Sequence, residues 1–197
     1  MALMTVFVLF GATGDLAARM VLPAFWTLAT EGLLPNDWIL VGNGRGDVSH
    51  ENFRQHVRET LESPQPGPWR EFAKRLRFAG GGFNSDSPGS LLDVIADARA
   101  ELGRDAQLVH YLAIPPAAFP ETTKALGVHG LAKGSRVVYE KPFGTSPEAF
   151  RTLNRQVHRV LDESQVYRID HFLGKEATQQ LHAMRFANTA LAALWSR

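Results

Sequence analysis

The sequence predicts an α/β fold, a doubly wound, mostly parallel sheet with helices on both faces, forming one domain over residues 1–197. Three observations predict it. Short runs of β-forming apolar residues alternate several times with segments of helical length, the pattern of strands joined by helical crossovers. The first run passes through a glycine turn straight into a helical segment, and a second apolar run then completes a βαβ unit. No internal repeat competes with this reading.

Thr5 to Phe10 (TVFVLF) is the first strand, an unbroken apolar run as expected for a strand covered on both faces. Gly11 ends it. Leu16 to Glu31 is helical in length and nearly apolar all round, with Pro23 inside it to kink or divide the helix. Gly32 and Pro35 stop that helix, and Trp38 to Val41 is the second strand, followed by a glycine turn from Gly42 to Gly46. Phe53, Val57 and Leu61 recur every four residues and give a helix one apolar stripe. Pro64, Pro66 and Pro68 then predict a peripheral loop, and Gly80 to Gly89 a second irregular stretch. Ser90 with Asp93 reads as a capping box for a helix whose apolar face is Leu91, Ile95, Ala98 and Leu102. Leu108 to Ile114 is a strand ending at Pro115 and Pro116, a further helix follows, and Val137 to Tyr139 is a strand that runs into Glu140, Lys141 and Pro142. Ser146 and Pro147 are an N-cap and first helical residue for the helix carrying Phe150, Leu153, Val157 and Leu161.

Composition excludes several classes of function. Apolar residues are 45% and charged residues 21% of the chain, close to globular averages. Lys plus Arg number 21 against 20 for Asp plus Glu, so no overall field recruits nucleic acid and any anion site must be local. Cysteine is absent, which removes disulfides and thiolate chemistry and fits a reducing cytoplasm, the expected location. The apolar opening has no basic n-region or small-residue cleavage site and is read as a buried strand, not a leader. No window reaches the roughly 18 apolar residues of a membrane span. The seven histidines show no metal-ligand spacing, so no metal is expected, and no G-x-S-x-G elbow follows any strand.

In open parallel sheets ligands bind beyond the carboxyl ends of the strands, which directs attention to the segments after each strand. Gly11, Ala12, Thr13, Gly14, Asp15 and Leu16 form a strand-to-helix turn whose glycines let the backbone approach a pyrophosphate held by helix N-terminal N–H groups. The same turn could simply be a tight connection that needs glycine, but its place after the first strand favours the nucleotide. Arg45 follows the second strand, where an NAD enzyme would place a carboxylate for the ribose 2′-hydroxyl. A guanidinium there suits a 2′-phosphate, favouring NADP, although Asp47 leaves NAD open as the weaker alternative and Arg45 could be a solvated loop residue. Pro115, after a later strand, is counted with the cofactor contacts. Lys141 ends another strand, in Glu140-Lys141-Pro142-Phe143-Gly144, and can face cofactor and reacting carbon together; the alternative is a surface lysine beside a structural turn.

The run Tyr167-Arg168-Ile169-Asp170-His171-Phe172-Leu173-Gly174-Lys175-Glu176 closely resembles the signature of the glucose-6-phosphate dehydrogenases. The G-A-T-G-D-L-A, E-K-P-F-G and M-R-F-A-N segments are similar to the same family in the same order. The resemblance implies a Rossmann-type, NADP-binding domain in an enzyme that moves a hydride from C1 of glucose 6-phosphate to nicotinamide while a histidine takes the C1 hydroxyl proton, giving the lactone of the oxidative pentose phosphate pathway. It also implies that His171 and Lys175 grip the 6-phosphate, that Lys141 touches both substrate and cofactor, and that Asp170 orients the base histidine. On their own, Asp170 could cap the following turn and His171 with Lys175 could be a solvated pair. Phe172 stands where the family has a phosphate-binding tyrosine, Phe119 replaces a tyrosine near the cofactor, and Gly46 replaces a hydroxyl residue beside Arg45, so weaker NADP affinity is expected.

Family members continue into a larger α+β domain that supplies the base histidine and the dimer interface. Residues 165–197 are expected to begin the connection to it, and the apolar tail from Ala190 to Trp195 to lack its cover. None of His50, His56, His110, His129, His158 or His182 sits in the context of that base, so Asp170 is expected to lack its partner and the lone chain to be inactive, or to require a homo-oligomer or a complementing subunit. The alternative is a non-catalytic NADP(H)-binding module.

Overall fold

The computed structural model describes residues 4–61 and 63–188, apart from the His171 side chain; the expectations for Ala190 to Trp195 lie outside the described residues. Six parallel strands form a single sheet, β1 (Thr5–Phe10), β2 (Trp38–Asn43), β3 (Leu76–Ala79), β4 (Gln107–Leu112), β5 (Arg136–Glu140) and β6 (Val166–Ile169), in the order β3-β2-β1-β4-β5-β6. The order reverses between β1 and β4, so the crevice of a doubly wound sheet opens beyond the carboxyl ends of those two strands. The helices are α1 (Leu22–Thr30), α2 (His50–Thr60), α3 (Pro66–Ala73), α4 (Leu91–Leu102), α5 (Phe119–Val128), α6 (Pro147–Val157) and α7 (Glu176–Phe186).

Two apolar layers hold the sheet. On one side Val6, Val8 and Phe10 meet Leu91 and Ile95 of α4, Leu126 of α5 and Leu153 and Val157 of α6. On the other, Leu9, Trp38 and Leu40 meet Leu22 and Phe25 of α1, Phe53 and Val57 of α2 and Phe72 of α3. Pro23 divides the first helical segment as expected: a π-helical turn, Ala17–Val21, precedes α1, which starts with the proline in its first turn.

Several expectations are corrected. The proline stretch after Leu61 is not all loop, because Pro66 and Pro68 open α3, in whose first turn an N–H has no intrahelical acceptor and its loss costs little. β3 follows α3 closely and β6 carries Tyr167 and Arg168 on the sheet edge; neither has the unbroken apolar run by which the other strands are recognised. β2 runs two residues further, through Gly42 and Asn43. Gly42 lies under the Phe53 ring, where an added Cβ would fall 2.5 Å from Cζ, and the Asn43 amide donates to the Ala79 carbonyl at 3.0 Å. Ser90 does not cap α4; its hydroxyl accepts the Gly80 N–H at 3.0 Å and so pins the loop after β3. Ser146 does cap α6, accepting from the Ala149 N–H at 3.1 Å.

His110 on β4 is fully buried. Its Nε2–H donates to the Leu131 carbonyl at 3.0 Å, while Nδ1 has no partner among the described residues. Burial lowers the imidazole from 6.5 to about 4, outweighing the Leu131 hydrogen bond. Between those values the unfolded chain binds the proton and the folded chain does not, so stability falls as pH drops from 6.5 and the full loss is reached below about pH 4. Urea denaturation across this range should show a loss on the order of 3 kcal/mol from this one group, and His110→Met should remove that part of the slope.

Candidate functional site

The strand ends beyond the sheet carry the sequence-predicted residues, and the glycine turn after β1 lies among them. Gly11 adopts φ +76°, and its N–H and that of Ala12 both donate to the Asn43 carbonyl at 3.0 and 3.1 Å, fastening the turn to β2. On its other side, Ala113 N–H donates to the Phe10 carbonyl at 3.1 Å, and the Ala113 oxygen stands 2.4 Å from where a Gly11 Cβ would be. The turn is therefore wedged between the ends of β2 and β4 with no room for a side chain. Gly14 N–H closes back on the Gly11 carbonyl at 2.9 Å, and the helical segment starts with Thr13, Gly14 and Asp15 exposed and Ala12 buried beneath them. Asp15 bonds Arg19 at 2.7 Å on the surface, leaving Leu16 partly buried behind it.

Arg45 lies beside this turn. Thr13 Oγ1 packs against Gly44, 3.5 Å from its would-be Cβ, and Gly82 N–H donates to the Gly44 carbonyl at 2.9 Å, so the loops after β1, β2 and β3 are tied together. The Arg45 side chain is exposed, runs past Gly82 and makes no ion pair or hydrogen bond among the described residues. A Cβ on Gly82 would lie 3.6 Å from Arg45 Cγ, so the absence of a side chain there leaves room for the arginine stem. Asp47 lies against Gly80 instead. Pro115 is exposed just beyond β4, and its carbonyl accepts the Ala118 N–H at 2.8 Å. Phe119 is remote from the loop surface: it is fully buried, edge-on to Tyr139 at 5.4 Å.

The second cluster gathers beyond β5 and β6. Lys141 Nζ is 3.0 Å from Asp170 Oδ1, which also accepts the Phe172 N–H at 2.9 Å. Asp170 thus pairs with a cation and caps the turn His171–Gly174. The ammonium groups of Lys141 and Lys175 lie 3.9 and 4.1 Å from the centroid of the Phe172 ring, which serves both as a platform. Two lysines against one carboxylate leave an excess positive charge at an exposed strand end, which suits a phosphate. The His171 side chain lies outside what the structure describes. Arg168 is not part of this cluster's open surface: it bonds Glu163 at 2.7 and 3.2 Å and Asn154 at 2.8 Å, and covers the Phe143 ring, fastening β6 to α6 and to the turn after β5.

Sequence reasoning missed one polar pair. Tyr111 Oη donates to Glu140 Oε1 at 2.6 Å, and burial and the carboxylate together push the Tyr111 hydroxyl well above its ordinary value, keeping it a donor. The available signal was two polar residues near the carboxyl ends of neighbouring apolar strands. Among the described residues no three His, Asp or Glu cluster as a metal site requires, and no helix is long and apolar enough to cross a membrane.

Residues 8–180 match the family described as "Glucose-6-phosphate dehydrogenase, NAD binding domain". The chain is 40% identical over 200 residues to glucose-6-phosphate 1-dehydrogenase 2 of Mycobacterium bovis, covering 96% of this chain and 39% of that protein. It is 34% identical to the chloroplastic glucose-6-phosphate 1-dehydrogenase 1 of Arabidopsis thaliana, covering 95% of this chain and 34% of the other. A solved glucose-6-phosphate dehydrogenase in complex with its substrate glucose 6-phosphate superposes with a TM-score of 0.87 at 32% identity, covering 99% of this chain and 42% of that one. The corresponding enzyme of Mycobacterium avium gives 0.80 at 32% identity, covering 98% and 41%. The chain therefore spans about two fifths of the length of these relatives.

Proposed function

From the premise that this chain belongs to the glucose-6-phosphate dehydrogenase family, which the match over residues 8–180 shows, we propose that it is the NADP-binding part of an enzyme oxidising glucose 6-phosphate at C1. The observation that carries this reading is the placement of a glycine turn, an arginine with no ion pair among the described residues and a two-lysine cluster along one carboxyl edge of a parallel sheet.

The residues present fit the cofactor. The turn from Gly11 to Leu16 would bring backbone N–H groups against the pyrophosphate, the exposed Arg45 would hold the 2′-phosphate, and Pro115 would border the dinucleotide beyond β4. When bound, NADP supplies the hydride acceptor. Lys175, with His171, would bind the sugar 6-phosphate, and Lys141, held by Asp170, would lie between sugar and nicotinamide and fix their approach. Asp170 would orient the base histidine, which this reading assigns to the length of the family that the chain does not span. Without that base the rate falls by about 10²–10⁴-fold. The enzyme is proposed to work in the cytoplasm, in the oxidative pentose phosphate pathway.

Calorimetric titration of glucose 6-phosphate into the chain with NADP present tests the substrate half of the proposal. Saturable binding is expected, weakened about tenfold or more by Lys175→Ala. Cofactor binding without any uptake of the sugar phosphate would refute that half and leave a nucleotide-binding module.

A further inference from the structure

The loop after β3, residues 80–89, runs along the carboxyl edge of the sheet, and its contacts follow one strand after another. At β2, Gly82 N–H donates to the Gly44 carbonyl at 2.9 Å. At β1, the Phe83 ring centroid lies 5.3 Å from that of Phe10, the last residue before the glycine turn. Beyond β1 the loop reaches α5. Ser85 N–H donates to Glu121 Oε1 at 2.8 Å, and the Ser85 hydroxyl donates to the same oxygen. His129 Nε2–H donates to the Asn84 carbonyl at 2.8 Å, with its ring 5.5 Å from Phe83.

This loop backs Arg45, because Gly82 packs on the arginine stem. Gly81 and Gly82 adopt φ +79° and +73°, so the backbone behind the arginine is built of the residue with the most freedom to lose. Order there must come from the ends of the loop. Ser90 fastens the near end, its hydroxyl accepting the Gly80 N–H at 3.0 Å. The far end closes on itself through the Asn84 side chain, which accepts from the Asp86 and Ser87 N–H groups at 2.9 Å each, and Glu121 and His129 tie it to α5. Glu121 accepts two hydrogen bonds on one carboxylate oxygen. The Ser85 bonds hold its carboxyl below the ordinary value, so the tie is charge-assisted at neutral pH.

We propose that Glu121 is a positioning residue for the 2′-phosphate end of the cofactor site, acting through the loop after β3 and Arg45. The inference rests on the reading of Arg45 as the 2′-phosphate contact. By holding the far end of the loop, Glu121 limits the freedom that Gly81 and Gly82 would otherwise pass to the arginine, so less ordering is left for NADP to impose when it binds. NAD has no 2′-phosphate and gains nothing from that order.

Calorimetric titration of NADP and NAD into the whole chain and its variants tests this. Glu121→Ala should weaken NADP about tenfold and NAD by less than about twofold. In an Arg45→Ala background, Glu121→Ala should change NADP binding by less than about twofold, because the group through which it acts is gone. Glu121→Gln keeps an oxygen to accept from Ser85 and should fall between Glu121→Ala and the unaltered chain. Circular dichroism checks folding, and amide hydrogen exchange reads the tie itself, with the Ser85 N–H exchanging about tenfold faster in Glu121→Ala. Equal losses for NADP and NAD, or a full loss persisting in the Arg45→Ala background, would mean a tie that only supports the fold and would overturn the proposal. So would unchanged NADP affinity in Glu121→Ala while the unaltered chain binds. An unaltered chain that takes up no NADP would overturn the reading of Arg45 and this inference with it.

Discussion

Gly11→Ala should cost about 3 kcal/mol or more of folding stability and abolish measurable dinucleotide binding. Gly11 sits at φ +76°, a conformation in which a Cβ costs roughly 1–2 kcal/mol. Its Cβ would also lie 2.4 Å from the Ala113 carbonyl oxygen, a backbone atom fixed by the pairing of β1 with β4, so relief requires parting the strand ends. Overpacking of this kind adds about 1–3 kcal/mol. The turn that moves is the one that would face the pyrophosphate, so binding is lost along with stability. Gly32 is the matched control, with φ +69° and nothing within 4 Å of its would-be Cβ. Gly32→Ala should pay the conformational cost alone, about 1 kcal/mol, with binding intact. Urea denaturation and NADPH fluorescence on both variants check this, and equal effects at the two positions would remove steric wedging as the explanation.

Arg45→Ala should weaken NADP binding by about 10–100-fold and leave NAD binding unchanged. A guanidinium on a phosphate makes charge-assisted, often bidentate hydrogen bonds, each contributing about 1.5–3 kcal/mol. Arg45 makes no ion pair or hydrogen bond among the described residues, so removing it should change stability by less than about 0.5 kcal/mol. The difference between the two cofactors should shrink with added salt, because the site is solvent-exposed. Competition titrations of NADP and NAD at two ionic strengths read this out, and a parallel loss for both cofactors would place Arg45 at a phosphate they share. Asp47→Ala should matter less, since Asp47 lies against Gly80.

The sheet could be anticipated from sequence wherever a strand is buried on both sides. Thr5 to Phe10 is unbroken and apolar, and the strand matches that run to the residue. Where burial is one-sided or marginal the signal fades. Leu76–Ala79 includes Arg77, and Val166–Ile169 is an edge strand whose Tyr167 and Arg168 point to solvent or to α6, so both strands depend on neighbours that no local pattern records. Prolines misled for a physical reason: they mark loops in general, yet the first turn of a helix accepts them, as at Pro66 and Pro68.

The candidate site was legible as a set of segments, because each follows a strand and all strands run the same way. Its internal contacts were not. That Lys141 pairs with Asp170, nearly thirty positions later in the chain, follows from β5 and β6 lying side by side. That Phe172 gathers two lysines on its ring is a packing result, and sequence reasoning saw only a lost hydroxyl. Phe119 likewise takes its place from packing: the start of α5 turns it into the core against Tyr139, a contact no local pattern records.

The central claim is that the loops at the carboxyl edge of this sheet are arranged to seat NADP. Isothermal calorimetry of the folded chain with NADP tests it most directly. The account predicts saturable binding at one site per chain, tighter than for NAD and lost in Gly11→Ala. A folded chain, verified by circular dichroism, that takes up neither NADP nor NADPH would contradict it.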